Sequence, residues 1–185
     1  MTEPGARLTA SLHGSETLGD RIMKVNHAGE QGAIAVYLTQ RWIARWRAPE
    51  MVAELTEFLA HERRHRALFA AELKARGRPR CRSFHLCTAS GIMAGLITGL
   101  IGRRAIAATT IAIERVVLHH LTLQLAALEG EDPRAAATIR AIIDDEQEHH
   151  DRSVSRLGEA TMLERLIDRA IAFSTGAIIW LGMRL

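Results

Sequence analysis

Cysteine is almost missing from this chain. Its 185 residues include only Cys81 and Cys87, too few for a disulfide framework and at a spacing that matches no zinc motif. Both are expected to be buried free thiols in a reducing compartment. Aromatic residues make up 4% of the chain and there are four Pro. With long stretches rich in Ala, Leu, Ile, Glu and Arg, that scarcity favours helix over strand. No G-x-G-x-x-G fingerprint is present, which excludes a nucleotide domain of that kind. The first twenty residues lack the apolar core of a secretory signal, so the protein is expected to stay on the side where it is made. At 48% hydrophobic and 24% charged the chain is not a disordered one, and a domain of this size buries roughly 70% of its unfolded surface. The expectation is a flexible stretch over residues 1–15 followed by one all-α domain over 16–185.

Charge is missing locally. Ser83 to Gly102 carries no formal charge, while His61 to Arg82 holds eight Lys or Arg against Glu62 and Glu72, and Arg103 and Arg104 close the uncharged run. Such an apolar plug between basic clusters suits the surface of an anionic membrane; the plainer alternative is a buried helix with a solvated basic flank. Its heart, Leu86 to Ile101, is short for a span of about 20 residues, so interfacial insertion is favoured over crossing. Gly91, Gly95 and Gly99 recur every four residues and would let another helix approach closely. A second apolar stretch, Ala170 to Met183, ends the chain.

Breakers divide the rest. Pro49 opens a helix, Gly77 and Pro79 close it, and Gly130, Asp132 and Pro133 supply a stop, an N-cap and a first-turn proline. Helices are predicted over about residues 16–46, 50–76, 104–129 and 133–157, joined by an apolar crossover and followed by a C-terminal helix. In each of the four, a carboxylate interrupts the apolar stripe. Glu30 stands between Met23 and the pair Ile34 and Tyr37. Glu62 and His65 follow Met51, Leu55 and Phe58. Glu114 follows Ala107, Thr110 and Ile111, and Glu146 and His149 fall between Ile142 and the pair Val154 and Leu157.

An inward Glu or a lone Glu-x-x-His means little by itself; the repeat gives them weight. Glu30 precedes Glu62-x-x-His65 by 32 residues, and Glu114 precedes Glu146-x-x-His149 by the same 32. If the paired carboxylates lie level across two helical hairpins, the turns fall near residues 46 and 130, where the breakers stand. One Glu from each of two helices and a Glu-x-x-His from each of two others is the ligand set of a carboxylate-bridged di-iron or di-manganese centre in a four-helix bundle. Residues three apart share a helix face, so Glu62 and His65 can reach one ion, and a Glu from each remaining helix can bridge or cap the pair. Four ionised Glu balance two divalent ions, and a solvated acidic cluster is ruled out by the apolar flanks.

The segment Val25-Asn26-His27-Ala28-Gly29-Glu30 with Gly32-Ala33, then Glu62-x-x-His65, Arg78-Pro79, Glu114 with His119-His120, and Asp145-Glu146-x-x-His149 resembles the demethoxyubiquinone hydroxylase family from about Arg21 onward. The resemblance implies a ferritin-like four-helix bundle with one long apolar crossover and an additional C-terminal helix. It also implies an O2-dependent monooxygenase of ubiquinone biosynthesis that hydroxylates the ring of 3-demethoxyubiquinol. The implied metal ligands are Glu30, Glu62, His65, Glu114, Glu146 and His149, holding two Fe ions, with an external reductant such as NADH. His119, His120 and Asp145 are candidates for a supporting shell, Asp145 by holding a ligand imidazole. Many members carry Tyr directly after the paired His, where this chain has Leu121; the lone tyrosine, Tyr37, is expected in the core. Implied partners are a polyprenyl quinone, the cytoplasmic face of a bacterial cell membrane, a ubiquinone-biosynthesis complex and further copies of the chain, with no nucleic acid. Two rivals share the ligand set: a di-iron tRNA hydroxylase, which leaves the uncharged run unexplained, and a ferritin-type iron-storage protein, which needs a cage-forming exterior.

Overall fold

The computed structural model describes residues 8–185. Among them every regular element is helical: α1 (Leu18–Arg47), a 3₁₀ turn (Pro49–Met51), α2 (Val52–Ala75), α3 (Phe84–Ile101), α4 (Arg103–Leu128), α5 (Pro133–Arg140), α6 (Ile143–Leu157) and α7 (Met162–Gly182). Local chemistry sets the starts. Thr17 and Asp20 form a reciprocal capping box on α1, Asp132 accepts from Ala135 N–H with Pro133 in the first turn of α5, and Thr161 pairs with Glu164 on α7.

The expected ferritin-like bundle is built from α1, α2, α4 and the α5–α6 pair. The crossover is itself a helix, α3, lying parallel to α1, and Gly102 (φ +115°), a conformation that side chains disfavour, turns the chain at once into α4. The last helix, α7, packs on α4 as α3 packs on α1. Each half is therefore a hairpin with one apolar helix laid outside it.

The single helix expected over 133–157 is broken at Ala141 and Ile142, without Pro or Gly. The ladder tightens there, with Ile142 N–H donating to Ile139 O and Asp145 N–H to Ile142 O. A fresh N-terminus follows, and Asp144, Asp145 and Glu146 fill its first turn, where negative charge is favoured. Beyond it Ser153 takes the inward position and Val154, read as inward, is 44% exposed.

Of the N-terminal stretch expected to be flexible, residues 1–7 lie outside the described residues. The remainder is not free: Leu8 and Ala10 pack on the core, Ser11 N–H donates to Met183 O, and Arg78 reaches Ser15. The basic stretch is also less available than its charge count suggests. Arg76 bonds Asp132 at 2.7 and 2.8 Å and Glu72 at 2.7 Å, Arg78 bonds Asp20 at 2.8 Å, and Arg64 pairs with Asp145. These guanidinium groups tie helix ends together.

Two apolar clusters fill the bundle. One gathers Ile22, Met23, Phe69, Leu73, Leu121, Leu128 and Ile139; the other gathers Tyr37, Met51, Leu55, Phe58 and Ile106. On α1, α2 and α4 the inward Glu falls between them, and on α6 Glu146 and His149 fall between Ile142 of the first cluster and Leu157, which packs in a small third cluster with Ala107 and Ala108. Outside the bundle, Gly91, Gly95 and Gly99 are buried against α1, whereas Ile92, Met93, Leu96, Ile97 and Leu100 of α3 are exposed. A Cβ on Gly95 would sit 2.7 Å from Val36 O and 2.9 Å from Thr39 Cβ, while one on Gly176 in α7 meets nothing within 4 Å. Gly95→Ala should therefore cost about 1–3 kcal/mol by overpacking, outweighing the gain of about 1 kcal/mol in helix propensity that Gly176→Ala should show unopposed. Thermal unfolding of the two variants checks the opposite signs.

Candidate metal centre

All six ligand candidates are buried, none more than 7% exposed, in the layer between the two apolar clusters. They form two overlapping groups: Glu30, Glu62, His65 and Glu146, and Glu62, Glu114, Glu146 and His149. Within each group, one ligand atom from every residue lies within 4.8 Å of the others. Glu62 and Glu146 belong to both. The carboxylates that could serve two ions are thus those of the two Glu-x-x-His motifs, whereas Glu30 and Glu114 each fall in one group.

The donor atoms face one another without bonding. His65 Nδ1 lies 2.8 Å from Glu146 Oε1, and His149 Nδ1 lies 3.3 Å from Glu62 Oε1. All four atoms are nevertheless buried and lack a hydrogen-bond partner. Buried polar atoms are normally satisfied, so orphaned lone pairs converging from α2 and α6, with Glu30 of α1 and Glu114 of α4 beside them, fit a pair of divalent cations. Electrostatics agrees. Burial, then the charge of neighbouring carboxylates, pushes Glu30, Glu114 and Glu146 well above the usual carboxylate range, and burial pushes Glu62 up to about 7.

Asp145 stands against the imidazole of His65. His65 Nε2 lies 2.8 Å from Asp145 Oδ2, and Arg64 grips the same oxygen from outside. Burial raises the Asp145 carboxyl, but the hydrogen bonds from His65 and Arg64 outweigh it and hold the group low. Of the paired histidines, His120 lines the cavity described below and leaves its Nδ1 buried without a partner, while His119 is exposed. Cys81 and Cys87 are buried and free, as expected.

Two contacts escaped the sequence reading. The Tyr37 hydroxyl donates to Glu114 Oε1, and burial pushes its own ionisation well up. His61, beside Glu62, sets its Nδ1 3.0 Å from His149 Nε2, with the two rings stacked at 5.2 Å. Tyr37 had the right face, seven residues after Glu30, but its partner lies across the bundle; His61 gave no signal beyond its place in the chain.

A cavity leads from the four Glu to the outside between α3 and α7. Ile113, Val117 and Leu121 form its inner wall; Cys87, Gly91 and Ala94 of α3 and Ile171, Thr175 and Ile178 of α7 flank its outer part. It is mostly apolar, with Asn26, Ser90 and Ser174 among its few polar groups. The contribution of α3 follows from the crossover's placement; that of α7 had no sequence signal.

Residues 17–182 match the family model described as ubiquinone biosynthesis protein COQ7. The chain is 29% identical over 170 residues to the NADPH-dependent 3-demethoxyubiquinone 3-hydroxylase, mitochondrial, of Dictyostelium discoideum, covering 89% of this chain and 76% of that protein. It is 30% identical over 171 residues to the protein of the same name from Mus musculus, covering 89% and 77%. To the 3-demethoxyubiquinol 3-hydroxylase of Rhodospirillum rubrum it is 29% identical over 168 residues, again covering 89% and 77%.

Proposed function

The chain belongs to the family of ubiquinone biosynthesis protein COQ7, and from that membership we propose that residues 16–185 form one O2-dependent di-iron monooxygenase domain that hydroxylates the ring of 3-demethoxyubiquinol. The observation that carries this reading is a pair of ligand groups sharing Glu62 and Glu146 at the closed end of an apolar cavity. Two ferrous ions bound there would supply the activation of O2 that ring hydroxylation requires, with electrons from an external nicotinamide reductant.

The protein's own residues divide the remaining work. Glu62 and Glu146 would serve both ions, Glu30 with His65 would complete one position, and Glu114 with His149 would complete the other. Asp145 fixes the His65 tautomer, because an imidazole that ligates through Nδ1 carries its proton on Nε2 and donates it to the carboxylate. The Tyr37 hydroxyl orients Glu114. Ile113, Val117 and Leu121 keep water away from the ring, and the channel between α3 and α7 admits a polyprenyl tail directly from a lipid phase. The exposed apolar faces of α3 and α7 rest on the membrane from the cytoplasmic side, with Arg80, Arg82 and Arg103 at the headgroups.

The test is genetic and chemical. In a strain lacking its demethoxyubiquinone hydroxylase, the intact gene should restore ubiquinone and clear the accumulated precursor from the lipid extract; Glu114→Ala should do neither. The triple variant Leu96→Ser, Ile97→Ser and Leu100→Ser changes only exposed side chains. It should keep its iron, leave anionic liposomes, and turn over a short-tailed quinone far better than a long-tailed one. No rescue by an expressed, iron-loaded, membrane-bound protein would count against quinone hydroxylation.

A further inference from the structure

The two halves of the chain are related by a constant offset. Glu30, Glu62 and His65 correspond to Glu114, Glu146 and His149, each 84 residues on. The same offset pairs His61 with Asp145 and Tyr37 with Leu121, and at both of these pairs the halves differ in chemistry.

Asp145, just before Glu146, backs the imidazole of His65 at 2.8 Å; His61, just before Glu62, backs that of His149 at 3.0 Å. Both rings turn Nδ1 toward the carboxylates, and with an ion on Nδ1 each would carry its proton on Nε2. His65 would then donate to a carboxylate clamped by Arg64, and His149 to the Nδ1 lone pair of a neutral imidazole. An anionic acceptor raises the basicity of the donor ring more than a neutral one does. The second pair acts in the same direction. Tyr37 donates a hydrogen bond to Glu114 and draws electron density from it, whereas Leu121 has no hydroxyl to offer Glu30.

We propose that the two ion positions are unequal because of these pairs: the position of Glu30 and His65 fills first and holds its ion more tightly, and His61 acts as the positioning residue that sets the weaker affinity at Glu114 and His149. This rests on the two-metal reading above. Outer partners of metal-bound imidazoles change affinity by roughly 10–100-fold, so the two dissociation constants should differ by at least about tenfold.

The experiment is a metal titration of the stripped full chain, followed by cobalt(II) absorption and by Mössbauer spectra after one and two equivalents of 57Fe(II). One equivalent should give a single quadrupole doublet, and the second should add a different one. His61→Asp makes the two backing groups alike and should bring the constants within about threefold by tightening the second step. His61→Leu should weaken the second step alone. Leu121→Tyr, which supplies the missing hydroxyl on the other side, should narrow the gap by weakening the first step and serves if the aspartate variant does not fold. Equal constants and identical doublets in the unmodified protein would overturn the inequality and leave the two-metal reading intact. Fewer than two ions per chain would overturn both. A folded His61→Asp variant with an unchanged gap would remove His61 from the role.

Discussion

Removing one carboxylate, Glu62 or Glu146, should empty both ion positions. Each of these side chains belongs to both ligand groups, so its loss takes a donor from each and removes the negative charge shared between the two cations. Glu62→Ala or Glu146→Ala should therefore contain almost no iron, whereas the intact chain should hold about two per molecule. Glu30→Ala and Glu114→Ala remove a donor from one group only, and should break the pair while retaining up to about one ion. Metal analysis with the magnetic signature of a coupled pair checks this. Full loading of the Glu62→Ala and Glu146→Ala double variant would sink the assignment.

The stripped protein should lose stability as pH rises from about 5 to 8, opposite to the loaded form. Unfolded Glu titrates near 4.5, whereas burial raises Glu62 to about 7 and holds Glu30, Glu114 and Glu146 well above their ordinary value. Groups raised in the folded state bind protons that the unfolded chain has released, so their stabilisation is present below pH 4.5 and disappears as pH climbs through the folded values. For Glu62 alone the difference is on the order of 3 kcal/mol. Bound cations reverse the sign, because they need the carboxylates ionised and release protons on binding. Thermal unfolding of stripped and loaded protein between pH 5 and 8 should give curves of opposite slope. A flat profile for the stripped form would mean that the four carboxyls do not share one dry space.

The carboxylate layer was legible in the sequence because a helix writes its inward face at a fixed period, and two hairpins with level ligands must repeat their spacing. That logic covers Glu30, Glu62, His65, Glu114, Glu146 and His149 and places both turns. It does not reach contacts between helices. The meeting of His61 with His149 depends on how α2 and α6 are rotated against each other, and the side of the cavity that α7 closes depends on how it lies on α4. The break before Asp144 was hidden for a different reason. No breaker residue marks it, and Asp144 and Asp145 beside the inward Glu146 show themselves as the first turn of a new helix only once the break is seen. The basic stretch misled in the opposite way, since charge counted along the chain cannot tell a free arginine from one held by Asp20, Glu72 or Asp132.

The glycine stripe of α3 has a thermodynamic consequence. At Gly91 and Gly95 the α3 backbone comes up against the backbone of α1 at Gly32 and Val36, with only the Cβ atoms of Ala35 and Thr39 as close. Most helix contacts in proteins owe their strength to water leaving apolar surface, and that drive vanishes when the alternative solvent is hydrocarbon. Close approach of two main chains draws instead on dispersion and on Cα–H···O contacts, which do not depend on the surrounding liquid. The seam between α1 and α3 can therefore keep its strength when one flank of the molecule passes from an aqueous to an oily phase, a change that would loosen an ordinary leucine-packed joint.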